Sequence, residues 1–389
     1  MPVKESKRNL GASSEVVRDI NRRIVLNLIR TRQPISRADL ARASGLQRST
    51  ISLIVEQLIE EHWVLEGSMG RLPRGRRPTF LGLNEDRVII AVDIRPTQTT
   101  LALADANGKF SSRDVMETPA NPESALASLI QAIQRMKNAC RGKMIEGVGI
   151  SLPGRFDHTV NRLVFAPNLK WPEINFRDPI AEQTGLDVEV ENAANACVLA
   201  EVWFDRVHSA RNLVVVTVSE GIGTGILANG ALVGGLNGMA GEFGHVPVDP
   251  TGPLCSCGSR GCWEVFASNR AALRYYAESQ AGGSPQVTFL ELLQRADGGD
   301  ALAVKALERM AQYLGRGMRM IVAGLAPERI VVVGDLTHSW HRFGGVIQAE
   351  IQEHVLAGGH APVLAPAFED GMARLRGTVA LVLQKHFSV

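Results

Sequence analysis

The chain of 389 residues is long enough for two or three domains, each with its own hydrophobic core. No uninterrupted apolar run approaches the roughly 18 residues of a membrane helix, so we expect a soluble, cytoplasmic protein without membrane insertion. The net charge of +2 is unevenly distributed: residues 1–80 hold 15 Lys and Arg against 8 Asp and Glu, and the remainder holds 27 against 32. A basic end on an acidic body indicates that the first part of the chain contacts a polyanion.

Three helices are predicted near the N-terminus. Apolar residues recur at helical spacing over 16–29, and this helix should end near Pro34. A second helix begins at Ser36, whose hydroxyl can cap it, and a third runs over about 47–61. The glycine-containing turn 43–46 between the last two is typical of a helix-turn-helix.

In a helix-turn-helix, the first residues of the third helix reach the major groove of DNA. Here they are rich in hydrogen-bond donors and include no acid: Gln47, Arg48, Ser49, Thr50 and Ser52. Two strands over 62–66 and 79–83 should form a hairpin, joined by a basic wing suited to phosphates or a narrow minor groove. Its candidate DNA contacts are Arg74, Arg76 and Arg77. The alternative is an ordinary three-helix interaction domain with a solvated basic loop.

The rest of the chain alternates strands with helices, which predicts an α/β fold. The predicted elements are strands at 88–94, 99–104 and 109–115, a helix at 123–140, strands at 145–152 and 188–191, a helix at 193–204, a strand at 213–218, a turn through 221–225, and strands at 226–228 and 329–333. Candidate ligand residues follow the ends of several strands. Two such α/β units therefore predict two lobes around a cleft.

Residues 245–264 combine one histidine with three of the five cysteines. A Cys3His set suits tetrahedral zinc, and because no ligand position is left open, the predicted Zn²⁺ is structural. Its ligands would be His245, Cys255, Cys257 and Cys262. The alternative is scattered thiols in a reduced protein. Disulfides are disfavoured, because Cys255 and Cys257 are too close in sequence for an easy mutual bridge.

Several of these motifs together resemble the ROK family of repressors and sugar kinases. They are the helix-turn-helix, the strand at Asp93, Pro153-Gly154, Glu191-Asn192-Ala193-Ala194-Asn195, the glycine loop 221–225, Gly241-Glu242-Phe243-Gly244-His245 and the cysteine motif. The resemblance covers essentially the whole chain. It implies a winged helix-turn-helix over 1–83 and a two-lobed, actin-like (ribonuclease H-like) sugar-binding body over 84–389. The lobes would span roughly 84–205 with the C-terminal helix, and 206–375.

The resemblance also implies which residues hold sugar hydroxyls. The matching positions are Asn192, Glu242, His245 and Glu264, with Asn168 as a further candidate. Carboxylates and amides can each bridge neighbouring hydroxyls, and a missing hydroxyl leaves a buried polar group unpaired at about 1–3 kcal/mol. His245 would use one ring nitrogen for zinc and the other for the sugar. The alternative is that the glutamates are surface carboxylates and His245 is a structural ligand only.

Departures from the kinase pattern separate a regulator from an enzyme. Where the kinases of the family carry two glycines that admit nucleotide phosphates, this chain has Arg95 and Pro96. Where they carry the aspartate that deprotonates the sugar, it has Ala193, and losing a general base lowers the rate by about 10²–10⁴. Residues 334–336 also depart from the glycine-rich turn beside adenosine. We therefore expect no enzymatic activity.

The leading hypothesis is a DNA-binding repressor of carbohydrate uptake or catabolism genes, controlled by a sugar or sugar phosphate in the cleft. It should bind double-stranded operator DNA with an inverted repeat as a homodimer or dimer of dimers. One alternative is an active ROK sugar kinase with an unusual phosphate loop. Another is a regulator controlled by a protein partner, such as a sugar transporter component.

Overall fold

A computed structural model describes residues 14–69, 79–204, 210–280, 287–353, 355, 359–367 and 371–387. The N-terminal unit contains three helices and a small antiparallel sheet of order β1-β3-β2. In chain order its elements are α1 (Ser14–Arg32), β1 (Ile35–Ser36), α2 (Arg37–Ser44), α3 (Arg48–Glu60), β2 (Val64–Met69) and β3 (Thr79–Leu83). The three predicted helices and the two predicted hairpin strands are present, with the additional short strand β1.

Capping interactions define both ends of α2, and the spacing of buried residues defines the core-facing side of α3. The Ser36 hydroxyl accepts a hydrogen bond from the Asp39 backbone N–H at 3.2 Å, and the Asp39 carboxylate accepts the Ser36 N–H. Gly45 ends α2 in the left-handed region at φ 72°. The buried face of α3 consists of Ile51, Ile54, Val55 and Leu58.

The buried face of α1 differs from the prediction in its first half. Val16 and Val17 are 48% and 45% exposed, and the buried positions are Val25, Leu26 and Ile29. Only the second half of α1 is covered by its neighbours, so apolar spacing in the first half does not mark a core. The predicted wing contacts Arg74, Arg76 and Arg77 lie outside the described residues.

The body contains two five-stranded sheets, of order β10-β7-β4-β5-β6 and β13-β12-β11-β14-β15. The elements of the first half are β4 (Arg87–Ile94), β5 (Gln98–Asp105), β6 (Phe110–Glu117), α4 (Pro122–Ala139), β7 (Met144–Leu152), β8 (Arg155–Asp157), β9 (Arg162–Phe165), α5 (Arg177–Thr184), β10 (Val188–Asn192) and α6 (Ala193–Phe204). Those of the second half are β11 (Leu213–Val218), β12 (Ile222–Ala228), β13 (Ala231–Leu232), α7 (Glu264–Ala267), α8 (Asn269–Glu278), α9 (Phe289–Asp297), α10 (Ala301–Leu325), β14 (Arg329–Val333), α11 (Trp340–Gln352), β15 (Val363–Pro366) and α12 (Ala373–Phe387). Across the described ranges, no helix is both long and apolar enough to span a membrane.

In the first sheet, β4, β5 and β6 form an antiparallel meander, β7 pairs parallel with β4, and β10 pairs parallel with β7. Parallel pairing brings the carboxyl ends of β7 and β10 to one edge of the sheet. Pro153-Gly154 follows the end of β7 directly, and Asn192 is the last residue of β10. The parallel arrangement therefore brings the two motifs together.

The predicted turn through 221–225 is wrong in extent. Val218 pairs with Ile222 across the ladder, so the turn is limited to 219–221 and the later glycines belong to β12. A Cβ atom at Gly225 would lie 2.5 Å from the carbonyl oxygen of Ala194 in α6. The glycines of β12 therefore allow a helix to lie directly on the strand.

The N-terminal unit and the body share a hydrophobic cluster. Helices α6 and α12 pack against each other in the body, and residues towards the C-terminal end of each helix pack against the N-terminal unit. The members of the cluster include Val25, Leu26, Ile29, Leu58 and Trp63 from the N-terminal unit and Ile89, Leu199, Trp203, Val379 and Phe387 from the body. The orientation of the N-terminal unit is therefore tied to the packing of the body.

Candidate functional site

A cavity of about 300 Å³ lies between the two lobes. Its walls come from the ends of β7 and β10, the start of α6, the turn between β11 and β12, and the segment that leads to the cysteine motif. All five predicted sugar ligands line it: Asn168, Asn192, Glu242, His245 and Glu264. The fold brings together residues nearly 100 positions apart in the sequence.

On the wall formed by the first lobe, Asn192 joins β10 to α6. Its Oδ1 accepts the Ala194 backbone N–H at 2.7 Å, and its Nδ2 donates to the carbonyl oxygen of Gly154. An amide side chain has two N–H donors and two acceptor lone pairs. One donor and one lone pair of Asn192 therefore remain for a ligand.

Beside Asn192, Glu191 fixes the same junction. Glu191 is buried, and its Oε1 accepts the backbone N–H of Asn192 at 2.7 Å and the Nδ2 group of Asn195 at 3.0 Å. Its other oxygen lies 3.1 Å from Nε2 of His158, and this hydrogen bond raises the pKa of His158. His158 lines the cavity but is absent from the predicted set, because it lies in a short hairpin without a recognisable motif.

The opposite wall carries three predicted ligands in contact. Nε2 of His245 lies 3.8 Å from a carboxylate oxygen of Glu242, and Nδ1 lies 3.7 Å from one of Glu264. Burial raises the pKa of Glu242. A Cβ atom at Gly221 would lie 2.6 Å from a carboxylate oxygen of Glu264 and 3.1 Å from the amide nitrogen of Asn168, so a side chain here would displace both groups where the two walls meet.

The predicted metal ligands also come together. One ligand atom from each of His245, Cys255, Cys257 and Cys262 lies within 4.8 Å of every other. The sulfurs of Cys257 and Cys262 are 3.7 Å apart, and the Cys255 sulfur is 3.5 Å from His245 Nδ1. Tetrahedral Zn²⁺ with bonds of about 2.3 Å to sulfur and 2.0 Å to nitrogen separates such ligands by roughly 3.8 and 3.5 Å. The four residues thus fit a metal ion, and all five cysteines are free thiols.

The end of β4 holds a buried acid with two side-chain partners. The Asp93 carboxylate is buried, accepting the Ser151 hydroxyl at 2.7 Å on one oxygen and Nε of Arg95 at 2.7 Å on the other. Arg95 therefore forms an ion pair with the acid at the end of β4.

The predicted DNA contacts on α3 lie at an accessible surface. Gln47, Arg48 and Ser49 are exposed, while Thr50 and Ser52 are half-buried. Leu53, which is not among the predicted contacts, is 68% exposed beside them. Its outward position follows from the helical period, because the buried face begins at Ile51 and continues at Ile54.

The sequence profile of the ROK family matches residues 89–385, most of the chain. The chain belongs to the ROK family. Among curated ROK relatives, the xylose repressor of Bacillus spizizenii is 31% identical over 383 residues, covering 97% of this chain and 98% of that protein. A glucokinase of Streptomyces coelicolor is 31% identical over 290 residues, covering 70% of this chain and 90% of that protein.

The solved ROK structures that resemble this chain likewise include both a transcriptional regulator and a kinase. A ROK family transcriptional regulator, a homolog of the E. coli MLC protein, superposes with a TM-score of 0.81 at 25% identity, covering 95% of this chain and 98% of that one. A ROK glucokinase from Streptomyces griseus, in complex with glucose and AMPPNP, gives a TM-score of 0.66 at 29% identity, covering 76% and 99%. The predicted two-lobed ROK body is confirmed, and the regulator matches nearly the full chain.

Proposed function

We propose that this ROK protein is a sugar-responsive transcriptional repressor of carbohydrate uptake or catabolism genes. The observation that carries the proposal is the presence, in one chain, of a helix-turn-helix with an exposed polar start to α3 and a polar cavity between ROK lobes. Similarity to xylose repressors over 97% of the chain supports it. We place the boundary between DNA-binding unit and body at residues 83 and 84, between β3 and β4.

The proposed effector is an aldose or its phosphate, with D-xylose and D-glucose as the first candidates. A volume of about 300 Å³ is at the lower end of ordinary ligand pockets, as expected for a monosaccharide. Asn168, Asn192, Glu242, His245 and Glu264 would hold its hydroxyls. The names of the xylose repressor and glucokinase relatives support this choice.

We propose a structural zinc ion held by His245, Cys255, Cys257 and Cys262. Such an ion cross-links the segment after Glu242 to the segment before Glu264. Since His245 turns Nδ1 towards Cys255 and Nε2 towards Glu242, the residue can serve the metal and the cavity together.

We propose that the protein does not transfer phosphate, although glucokinases are among its relatives. Arg95 pairs with Asp93 where the kinases have glycine, and Pro96 lacks a backbone N–H donor. Ala193, at the base position, offers only a methyl group. The polar residues of the cavity thus serve binding, while the family's base position holds no titratable group.

The proposal is tested by selecting duplexes from a random library with the full-length protein. Fluorescence anisotropy then gives the affinity of the selected duplex with and without D-xylose, D-glucose and their phosphates. We expect an inverted repeat bound by a dimer, and an affinity that one of these sugars changes by roughly 5- to 150-fold. Failure to enrich any duplex overturns the regulator proposal. Enrichment without any response to a sugar favours control by a protein partner.

A further inference from the structure

Helix α6 begins in the cavity and ends at the DNA-binding unit. At its first residue, Ala193, the helix is capped by Asn192, and Ala193, Ala194 and Asn195 line the cavity. With 12 residues and a rise of 1.5 Å each, α6 is about 18 Å long. Its last turn carries Trp203, which belongs to the hydrophobic cluster shared with the N-terminal unit.

The packing of α6 leaves it little freedom to bend or slide independently of its neighbours. Nine of its twelve residues are buried. A Cβ atom at Gly377 of α12 would lie 1.8 Å from the Ala196 carbonyl oxygen, and one at Gly225 of β12 would lie 2.5 Å from that of Ala194. Backbone thus packs on backbone at two sides of α6, so a displacement at its first turn has to move the helix as a body.

At the C-terminal end of α6, Arg30 of α1 contacts the last turn of the helix. Its Nη1 donates to the carbonyl oxygen of Trp203 at 2.6 Å, and its guanidinium carbon lies 4.4 Å from the centre of the Trp203 ring system. Asn27 accepts two further hydrogen bonds from Arg30, at 3.1 and 2.9 Å. A cation is favoured at a helix C-terminus, where carbonyl groups lack helical partners. Phe387 of α12 packs between Trp203 and Trp63 at 5.4 and 5.6 Å.

We propose that α6 transmits the occupancy of the cleft to the DNA-binding unit, and that the contact between Arg30 and Trp203 is the joint through which it does so. The inference rests on the proposed function, because it supplies the route from sugar to operator. A sugar that engages the free donor and lone pair of Asn192 favours one position of the first turn of α6. Shifts of about 1–2 Å at a packed helix are typical of allosteric transitions, and Arg30 passes such a shift to α1.

The experiment compares Arg30→Met with Arg32→Met in the full-length protein. Both changes remove one positive charge from the last turn of α1, but Arg32 is exposed, whereas Arg30 contacts Trp203. Operator affinity is measured on the selected duplex, with and without the sugar that shifts the parent protein. We expect Arg30→Met to bind duplex and sugar within about threefold of the parent, while the sugar-induced change in duplex affinity falls below about twofold. Arg32→Met should keep the full response.

Arg30→Lys covers the case in which Arg30→Met is poorly folded. Lysine keeps a cation near the Trp203 carbonyl but loses the planar stacking on the ring, so the sugar response should be reduced, and thermal unfolding should stay near the parent value. Hydrogen exchange provides a readout without DNA: sugar should change exchange in both 193–204 and 24–32 of the parent, but only in 193–204 of Arg30→Met. Parental sugar responses in both Arg30 variants would overturn the inference. If the parent itself ignores every sugar, the proposed function has failed instead.

Discussion

At the scale of single residues, His245 belongs both to the group of four candidate metal ligands and to the cavity wall. Nδ1 faces Cys255, and Nε2 faces Glu242. A metal ion on Nδ1 would fix the tautomer that carries its proton on Nε2, and a sugar oxygen could then accept that proton in a hydrogen bond. The metal would therefore shape the ligand site without taking part in any reaction.

The first prediction follows from this dual position. Protein purified without added metal should contain about one zinc ion per chain, measured by elemental analysis. Cys257→Ser should lower zinc affinity by at least about tenfold and weaken sugar binding, because loss of the cluster frees His245. Cys140→Ser is the matched control, since Cys140 lies outside the cluster. Zinc-free parent protein, together with unchanged stability of Cys257→Ser, would contradict the site.

A second prediction concerns His158, whose pKa the hydrogen bond with Glu191 raises. A raised folded-state pKa stabilises the protein below the unfolded pKa of about 6.5, and this contribution is lost as the pH rises through the folded value. His158 is about half exposed, so the effect should be below about 3 °C in Tm. Thermal unfolding of parent and His158→Gln between pH 5 and 9 measures it. Parallel pH profiles would show that the pair contributes nothing.

At the scale of elements, the sequence predicts structure where the pattern is strong and local. Ser36 with Asp39, and Gly45, mark both ends of α2, and the continuous apolar run at 88–92 marks β4, the central strand of the first sheet. The hairpin of β8 and β9 is too short for a detectable period. Helix α10 was not predicted, although its buried residues recur at helical spacing. They include Leu307, Met310, Leu314, Met318 and Ile321.

The sequence predicts which residues form the candidate site, but not which of them contact each other. Asn192, Glu242, His245 and Glu264 lie in motifs that the sequence shows, whereas the meeting of Gly221, Glu264 and Asn168 depends on how the two lobes close. The same holds for Arg30 and Trp203, which are 173 positions apart in sequence. Local patterns carry no information about such pairs, because tertiary packing alone brings them together.

The third prediction separates the two elements that we propose to contact DNA. Arg48→Ala, at the start of α3, should weaken binding to the selected duplex by about 1–3 kcal/mol and relax the preference for one base pair. Arg76→Ala and Arg77→Ala should weaken all duplexes similarly and each reduce the salt slope by about one. Anisotropy titrations on selected and scrambled duplexes at several salt concentrations distinguish these effects. An equal loss on both duplexes for Arg48→Ala would place it on phosphate instead.

At the scale of the whole molecule, a polar cavity lies between the two lobes of a chain that we propose to be inactive as a kinase. The fourth prediction is therefore background turnover in coupled assays with ATP and a panel of aldoses, even at high protein concentration. Ala193→Asp alone should not confer activity, because Arg95 would still pair with Asp93 and Pro96 would still lack a backbone N–H donor. Robust turnover by the parent that Asn192→Ala abolishes would overturn the proposal that the protein lacks kinase activity.

The last prediction links the two ends of the molecule. If a sugar changes operator affinity by a given factor, thermodynamic linkage requires the operator to change sugar affinity by the same factor, expected at roughly 5- to 150-fold. Glu242→Ala alters the cavity wall and leaves the N-terminal unit intact, so it should bind operator normally and lose the response to sugar. Glu308→Ala, an exposed position on α10, is the control and should keep both. Calorimetric titration of sugar into the free protein and into the duplex complex measures the reciprocal factor. Unequal factors in the two directions would mean that sugar and operator do not act on one shared equilibrium.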